Sequence, residues 1–255
     1  MISDQFLIDV GLDRERVPTF DQYSFSLASV RHLRQLPLHP AVTFLIGENG
    51  TDKSTLLEAI AVAWGFNAEG GSRSHGFDTR RSHSSLCEYL RLSRGVKRAR
   101  DGYFLRAESF FNVAAEIEKL DEDFDNIPRI ADAYGSRALH EQSHGESFLS
   151  LLVERFFGNG LYILDEPEAA LSPNRQMAAL TRIHELVAQG SQFLIATHSP
   201  IIMAYPNARI YELTADGIGQ VNYTDTEHYT VTKSFLNSHE RMLEMLLSNQ
   251  EKGIQ

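Results

Sequence analysis

One stretch, TFLIGENGTDKSTLLEAIA at residues 43–61, constrains this chain more than any other. Val42 to Ile46 is an apolar run suited to a buried parallel strand. Gly47-Glu48-Asn49-Gly50 then makes a tight turn, carried on by Thr51. From Lys53 onward, Leu56, Leu57, Ile60, Ala61 and Trp64 have the apolar spacing of a helix. A strand that turns sharply into a helix aims backbone N–H groups and the positive end of the helix dipole at one point. That is a cradle for phosphate. The phosphate-loop pattern G-x-x-x-x-G-K-[ST] is met by Gly47, Lys53 and Ser54 and missed once, where Asp52 replaces the second glycine. Lys53 would reach the terminal phosphates and the Ser54 hydroxyl would bind Mg²⁺, while Thr55 packs or caps.

Asp52 acts against that cradle in two ways. It adds a Cβ where phosphates need close backbone approach and where glycine permits unusual dihedrals. It also sets a carboxylate beside a triphosphate. Two like charges about 4 Å apart repel by about 1 to 4 kcal/mol at effective dielectrics of 80 to 20. The carboxylate could instead pair with Lys53 and mimic a phosphate in the loop. The plainer alternatives are a tolerated side chain pointing to solvent, or a substitution introduced to abolish binding.

Two later segments repeat the strand-then-polar arrangement. In GLYILDEPEAALSP, 160–173, the run Leu161 to Leu164 delivers Asp165 and Glu166 to the C-terminal end of a strand. Asp165 would hold Mg²⁺, directly or through water, and Glu166 would polarise an attacking water as general base. In QFLIATHSP, 192–200, a strand ends at Thr197-His198-Ser199-Pro200, so His198 could contact the γ-phosphate and the water. The other nine histidines have no such context and receive no role. Between these motifs, Ser143-His144-Gly145-Glu146-Ser147 opens an amphipathic helix with Phe148, Leu151, Leu152 and Phe156. Its serines suit helix capping and equally an anion site.

The 255 residues suffice for one large core, or a core with a smaller lobe. With 42% apolar and 23% charged residues the composition is that of a soluble globular chain. No apolar run approaches the ~18 residues of a membrane span, and the acidic N-terminus is no basic leader. A lone Cys87 excludes an internal disulfide framework and suits a cytoplasmic setting. The net charge of −10 argues against a broadly basic nucleic-acid binder. Residues 69–106, however, carry nine Arg or Lys against four acids, a net +5 that leaves −15 elsewhere. That segment is either a solvated arm or a contact for nucleic acid or an acidic partner protein.

The ordered pieces GENGTDKSTLLEAIA, SHGES, LDEPEAALSP and ATHSP resemble the ATP-binding-cassette (ABC) ATPases, and within them the RecF/SMC-like and small stand-alone ATPases. The resemblance spans about residues 25 to 215. It implies an α/β fold with ABC-ATPase head architecture: a mostly parallel sheet flanked by helices, plus a smaller helical and basic lobe. The whole chain would be one ATPase domain, with 69–141 as the inserted lobe. It implies ATP and Mg²⁺ as ligands, hydrolysis of ATP to ADP and phosphate, and a head-to-tail homodimer. In that dimer the signature of one subunit, here Gln142 to Glu146 with Ser143, Gly145 and Glu146, closes over ATP in the other's loop. Glu166 becomes the catalytic carboxylate, His198 the switch histidine, and Ala169 to Ser172 the loop crossing the interface. The family's Mg²⁺-sensing glutamine has no counterpart from Gly70 to Glu141; Glu108, after the candidate strand Tyr103 to Ala107, is the substitute. SHGES and Ser172-Pro173 differ from the transporter type, so a transporter subunit is the remoter alternative. A nucleotide-free scaffold, its loop closed by an Asp52–Lys53 contact, is the nearer one. DNA repair or defence against foreign DNA rests on family analogy alone. The segment 225–255 reads as a helix packed on the core, or on a partner.

Overall fold

The computed structural model describes residues 4–48, 50–72, 84–106 and 148–248. The first part holds β1 (Leu7–Leu12), α1 (Ala28–Arg31), β2 (Gln35–Pro37), β3 (Val42–Ile46), α2 (Lys53–Trp64), β4 (Gly71–Ser72), β5 (Leu90–Arg94) and β6 (Asp101–Arg106). A helical turn from Phe148, π-helical over Leu151–Arg155, leads to β7 (Gly160–Asp165). Then come α3 (Pro173–Ala188), β8 (Gln192–Ala196), α4 (Pro200–Met203), β9 (Arg209–Thr214), β10 (Gly217–Val221) and α5 (Glu227–Ser248).

The described strands form two sheets. The larger runs β10-β9-β3-β8-β7-β6-β4, with β9, β3, β8, β7 and β6 mutually parallel and antiparallel edges at β10 and β4. The smaller, β2-β1-β5, is antiparallel. Every residue of β3, β7 and β8 is buried, because both faces of the central strands are covered. One face holds Phe44, Ile46, Tyr162, Leu164, Phe193 and Ile195 against Phe148, Leu151, Leu152, Phe156 and α3. The other holds Leu45, Ile163, Leu194 and Ala196 against α2 and the small sheet. Continuous apolar runs, rather than alternating ones, are what such two-sided burial requires. The helix expected from Lys53 is α2, and its predicted apolar residues Leu56, Leu57, Ile60, Ala61 and Trp64 are all buried.

Two expectations change. Residues 90–106 are not set apart in a lobe: β5 belongs to the small sheet and β6 to the large one. Three of the cations there have structural partners. Arg94 donates to Ala63 O and Trp64 O, Lys97 donates to Gly190 O, and Arg106 pairs with Glu58 at 2.6 Å. Within the C-terminal segment, the described residues of α5 are helical but not buried in the core. No residue of α5 is buried, and Leu236, Met245, Leu246 and Leu247 are exposed. Its apolar residues satisfy helical periodicity, and toward its N-terminal end Tyr229, Lys233 and Leu236 line a groove with Leu180, Pro200 and Ile201. No helix among the described residues is long and apolar enough to cross a membrane.

Side chains of the large sheet hold the small one: Arg209 and Tyr211 of β9 donate to Pro37 O of β2, and a buried glutamine reaches β1. Gln192, 2% exposed at the start of β8, accepts from Phe6 N and Leu7 N through Oε1 and donates from Nε2 to Leu7 O and His39 O. Gln192→Ala leaves those buried backbone groups unsatisfied. It should destabilise the chain by about 2–4 kcal/mol, read from urea unfolding midpoints at unchanged m.

Candidate functional site

The register of the parallel strands places Leu45 of β3, Ala196 of β8, Asp165 of β7 and Arg106 of β6 in one row. The loops leaving these strands therefore open on a common edge, the carboxyl edge where parallel sheets take their ligands. Three sequence motifs far apart in the chain meet there.

Gly47 leaves β3 at φ +148°, where an added Cβ would lie 2.5 Å from Leu213 O, so the turn admits only glycine. Asp52 stands immediately before α2 at φ +59°, ψ +29°, in the left-handed region. Glycine enters that region without steric cost; aspartate tolerates it better than most residues but still carries a Cβ. The Asp52 side chain makes no capping hydrogen bond to α2. Burial pushes its carboxyl above the ordinary range, and Lys53 opposes the shift.

Lys53 is 3% exposed, and its Nζ donates to Gly47 O and Glu48 O, each at 2.9 Å. The loop carbonyls, not Asp52, hold the ammonium; the expected Asp52–Lys53 pairing is not formed. Burial lowers the Lys53 pKa, and the charges of Glu166, Asp165, Glu168 and Asp52, in falling order, oppose this. Four carboxylates thus face one buried lysine.

Ser54 Oγ donates to Asp165 Oδ1 at 3.0 Å, which closes the phosphate loop onto β7 across 111 residues of sequence. Adjacent ligands on an octahedral Mg²⁺ with ~2.0–2.1 Å bonds are themselves about 2.9 Å apart. The Ser54–Asp165 oxygen pair therefore fits that ion. Among the described residues no group of three or more His, Cys, Asp or Glu could hold a metal. Mg²⁺ is suited to such a sparse set, since it keeps waters and phosphate oxygens as its other ligands. Arg106 Nε lies 3.9 Å from Asp165 Oδ2, so a cation flanks the pair. Thr55 Oγ1 is 3.3 Å from the hydroxyl of the exposed Tyr23.

Glu166 also has a left-handed backbone, φ +51°, and its N–H donates to Ala196 O at 2.9 Å, so β8 braces the turn. Its Oε1 lies 3.6 Å from His198 Nε2. His198 is placed by β8 and by Glu168, whose Oε1 accepts the His198 backbone N–H. Burial raises the Glu168 pKa, and that hydrogen bond opposes the rise. On its far side, His198 Nδ1 lies 3.2 Å from His228 Nε2, in the first turn of α5. Burial, then Lys53, hold His198 below the usual imidazole value, against Glu166. Burial, then His198 and Lys53, do the same for His228, against Glu227 and Glu212.

Of the residues picked from the sequence, Gly47, Glu48, Gly50, Thr51, Asp52, Lys53, Ser54, Thr55, Asp165, Glu166 and His198 lie along this edge. Asn49, Glu108, Ser143, Gly145 and Glu146 fall outside the described residues. Two members went unpredicted. Glu168 was legible as a second carboxylate two residues after Glu166. His228 had no local signal, because only the path of the chain after β10 returns it to His198.

A sequence model of a family described as "AAA domain, putative AbiEii toxin, Type IV TA system" matches residues 78–204, a span that includes β7 and β8. An ATP-binding cassette of an ABC transporter is 19% identical, covering 73% of this chain and 82% of its own, with a TM-score of 0.47. The SMC head domain from Thermotoga maritima is 14% identical, covering 86% and 100%, with a TM-score of 0.44. A search of curated protein sequences gives no match. The family match, the strand order and the motif placement are consistent with an α/β fold of the P-loop ATPase type, with a mostly parallel sheet flanked by helices. They support nucleotide binding and an ATPase-type function in general terms.

Four carboxylates around one lysine repel a bare triphosphate. EDTA should therefore weaken nucleotide binding by about tenfold or more relative to the Mg²⁺ complex, measured by titration calorimetry.

Proposed function

We propose that this chain binds Mg·ATP and hydrolyses it to ADP and phosphate, as a nucleotide-driven dimerisation switch. The observation that carries the reading is the Ser54–Asp165 hydrogen bond. It joins the phosphate loop to the carboxylate strand in the arrangement a Mg²⁺–triphosphate needs. Lys53, Ser54 and the loop N–H groups would hold the nucleotide, and Ser54 and Asp165 the ion. Bound Mg²⁺ would offset the local carboxylate charge and polarise the phosphates. Glu166 would orient and deprotonate the attacking water, and His198 would donate from Nε2 on the same side.

In this reading two copies close head to tail, each nucleotide bridging a loop and the other copy's signature at Ser143, Gly145 and Glu146. Glu108 completes the metal surroundings. Binding closes the pair and hydrolysis opens it. The shape change passes to nucleic acid or a partner protein through the basic 69–106 segment, where Arg91, Arg98 and Arg100 are exposed. A role in DNA repair or defence against foreign DNA rests on family analogy alone.

Asp52 weakens this activity through its charge and its Cβ in the cradle. A nucleotide-free scaffold is the second reading, and Asp52 is the observation in its favour. The retained Lys53, Ser54, Asp165, Glu166 and His198 favour the first.

Asp52→Gly should raise Mg·ATP affinity about fivefold or more, since removing the repulsion is worth at least ~1 kcal/mol. Equal calorimetric affinity in the two forms would show that the loop accommodates aspartate. In the Asp52→Gly background, Glu166→Gln should trap an ATP-bound dimer on size-exclusion chromatography with light scattering. A strictly monomeric species at saturating ATP would count against head-to-tail closure.

A further inference from the structure

His198 and His228 come from elements with no sequence relation to each other, yet their rings face across 3.2 Å between His198 Nδ1 and His228 Nε2. Neither ring is solvent-facing at its remaining nitrogen. His198 Nε2 and His228 Nδ1 are both buried, with no hydrogen-bond partner among the described residues. Burial together with the Lys53 charge disfavours the imidazolium form of both rings. Two neutral rings in this geometry share one proton across the gap, so one nitrogen donates and the other accepts.

Which one donates follows from what lies beyond each ring. If His198 donated from Nδ1, its Nε2 would present a lone pair to the Glu166 carboxylate at 3.6 Å. In that arrangement the His228 proton would also sit on Nδ1, a buried donor with nothing to receive it. Orphaned buried donors are rarer and costlier than under-used acceptors. If His228 donates from Nε2, both conflicts vanish. His198 then carries its proton on Nε2, where the Glu166 carboxylate stands 3.6 Å away to attract it, and His228 Nδ1 is left as an unpaired acceptor instead of an orphaned donor.

We propose that His228 is a positioning residue of this site: by donating its Nε2 proton to His198 Nδ1, it fixes His198 as an Nε2–H donor aimed at Glu166. The tautomer follows from the nucleotide-free geometry. Its use toward a phosphate oxygen rests on the ATPase reading above. The hydrogen bond also ties the site to α5, none of whose residues is buried.

The test uses the whole chain labelled with ¹⁵N-histidine, without nucleotide. Long-range proton–nitrogen spectra should show His198 protonated at Nε2 and bare at Nδ1. His228→Phe should release that preference, giving a mixture of tautomers. His228→Gln, whose amide nitrogen can stand where His228 Nε2 stands, should restore it. In the Asp52→Gly background, His228→Phe should lower kcat about five- to tenfold, the worth of one neutral hydrogen bond, with KM within twofold. His228→Gln should recover most of the loss. An Nδ1–H tautomer at His198 in the unsubstituted chain would overturn the proposal, as would a His198 spectrum unmoved by His228→Phe. Absence of turnover in every form would sink the ATPase reading alone, because the spectra decide the tautomer without it.

Discussion

The parallel ladder β3-β8-β7-β6 is the constraint on which the rest of this structure depends. Parallel strands start at one edge and end at the other, so their outgoing loops share an edge however distant they are in sequence. Here the register is level, with Leu45, Ala196, Asp165 and Arg106 in one row. A one-residue slip of β7 would turn Asp165 to the opposite face and break its hydrogen bond to Ser54. Full burial of β3, β7 and β8 on both faces is what fixes the register, and the site inherits its order from the core.

That site is dominated by negative charge. Asp52, Asp165, Glu166 and Glu168 all act on Lys53, whose ammonium is buried against the carbonyls of its own loop. A lysine held this way is satisfied by the backbone without any anion, so the loop keeps its shape. Asp52 adds a carboxylate at the one loop position where the backbone is left-handed and a side chain is least welcome. The chain therefore combines a carboxyl edge that gathers Ser54, Asp165, Glu166 and His198 with a loop that carries an extra carboxylate at Asp52.

The central strands, α2 and its buried face, and the grouping of Lys53, Ser54, Asp165, Glu166 and His198 were all legible in the sequence. Each has a local signal: an apolar run, a helical period, or a polar cluster at a strand end. Other features carried no such signal. Gln192 looks like an ordinary strand residue, yet its four hydrogen bonds hold the backbone of Phe6, Leu7 and His39, at the margin of the small sheet. β5 lies in the basic segment and was expected in a lobe, but its partner is β1, far upstream. The apolar period of α5 predicts the helix, but the core of this chain does not bury it, because periodicity shows that a face exists and not what covers it.

The sequence by itself determined the local chemistry: a glycine turn feeding a helix start, two carboxylates ending one strand and a histidine ending another. These depend on neighbours within a few residues, where backbone geometry and side-chain period act. Only the tertiary structure decided which atoms meet. Asp52 stays apart from Lys53 because the loop carbonyls reach the ammonium first. Ser54 finds Asp165 because the strands are parallel and level. His228 finds His198 because the chain, after its last hairpin, crosses back over the carboxyl edge. Contacts of that kind are set by packing across the whole sheet, and no local run of residues encodes them.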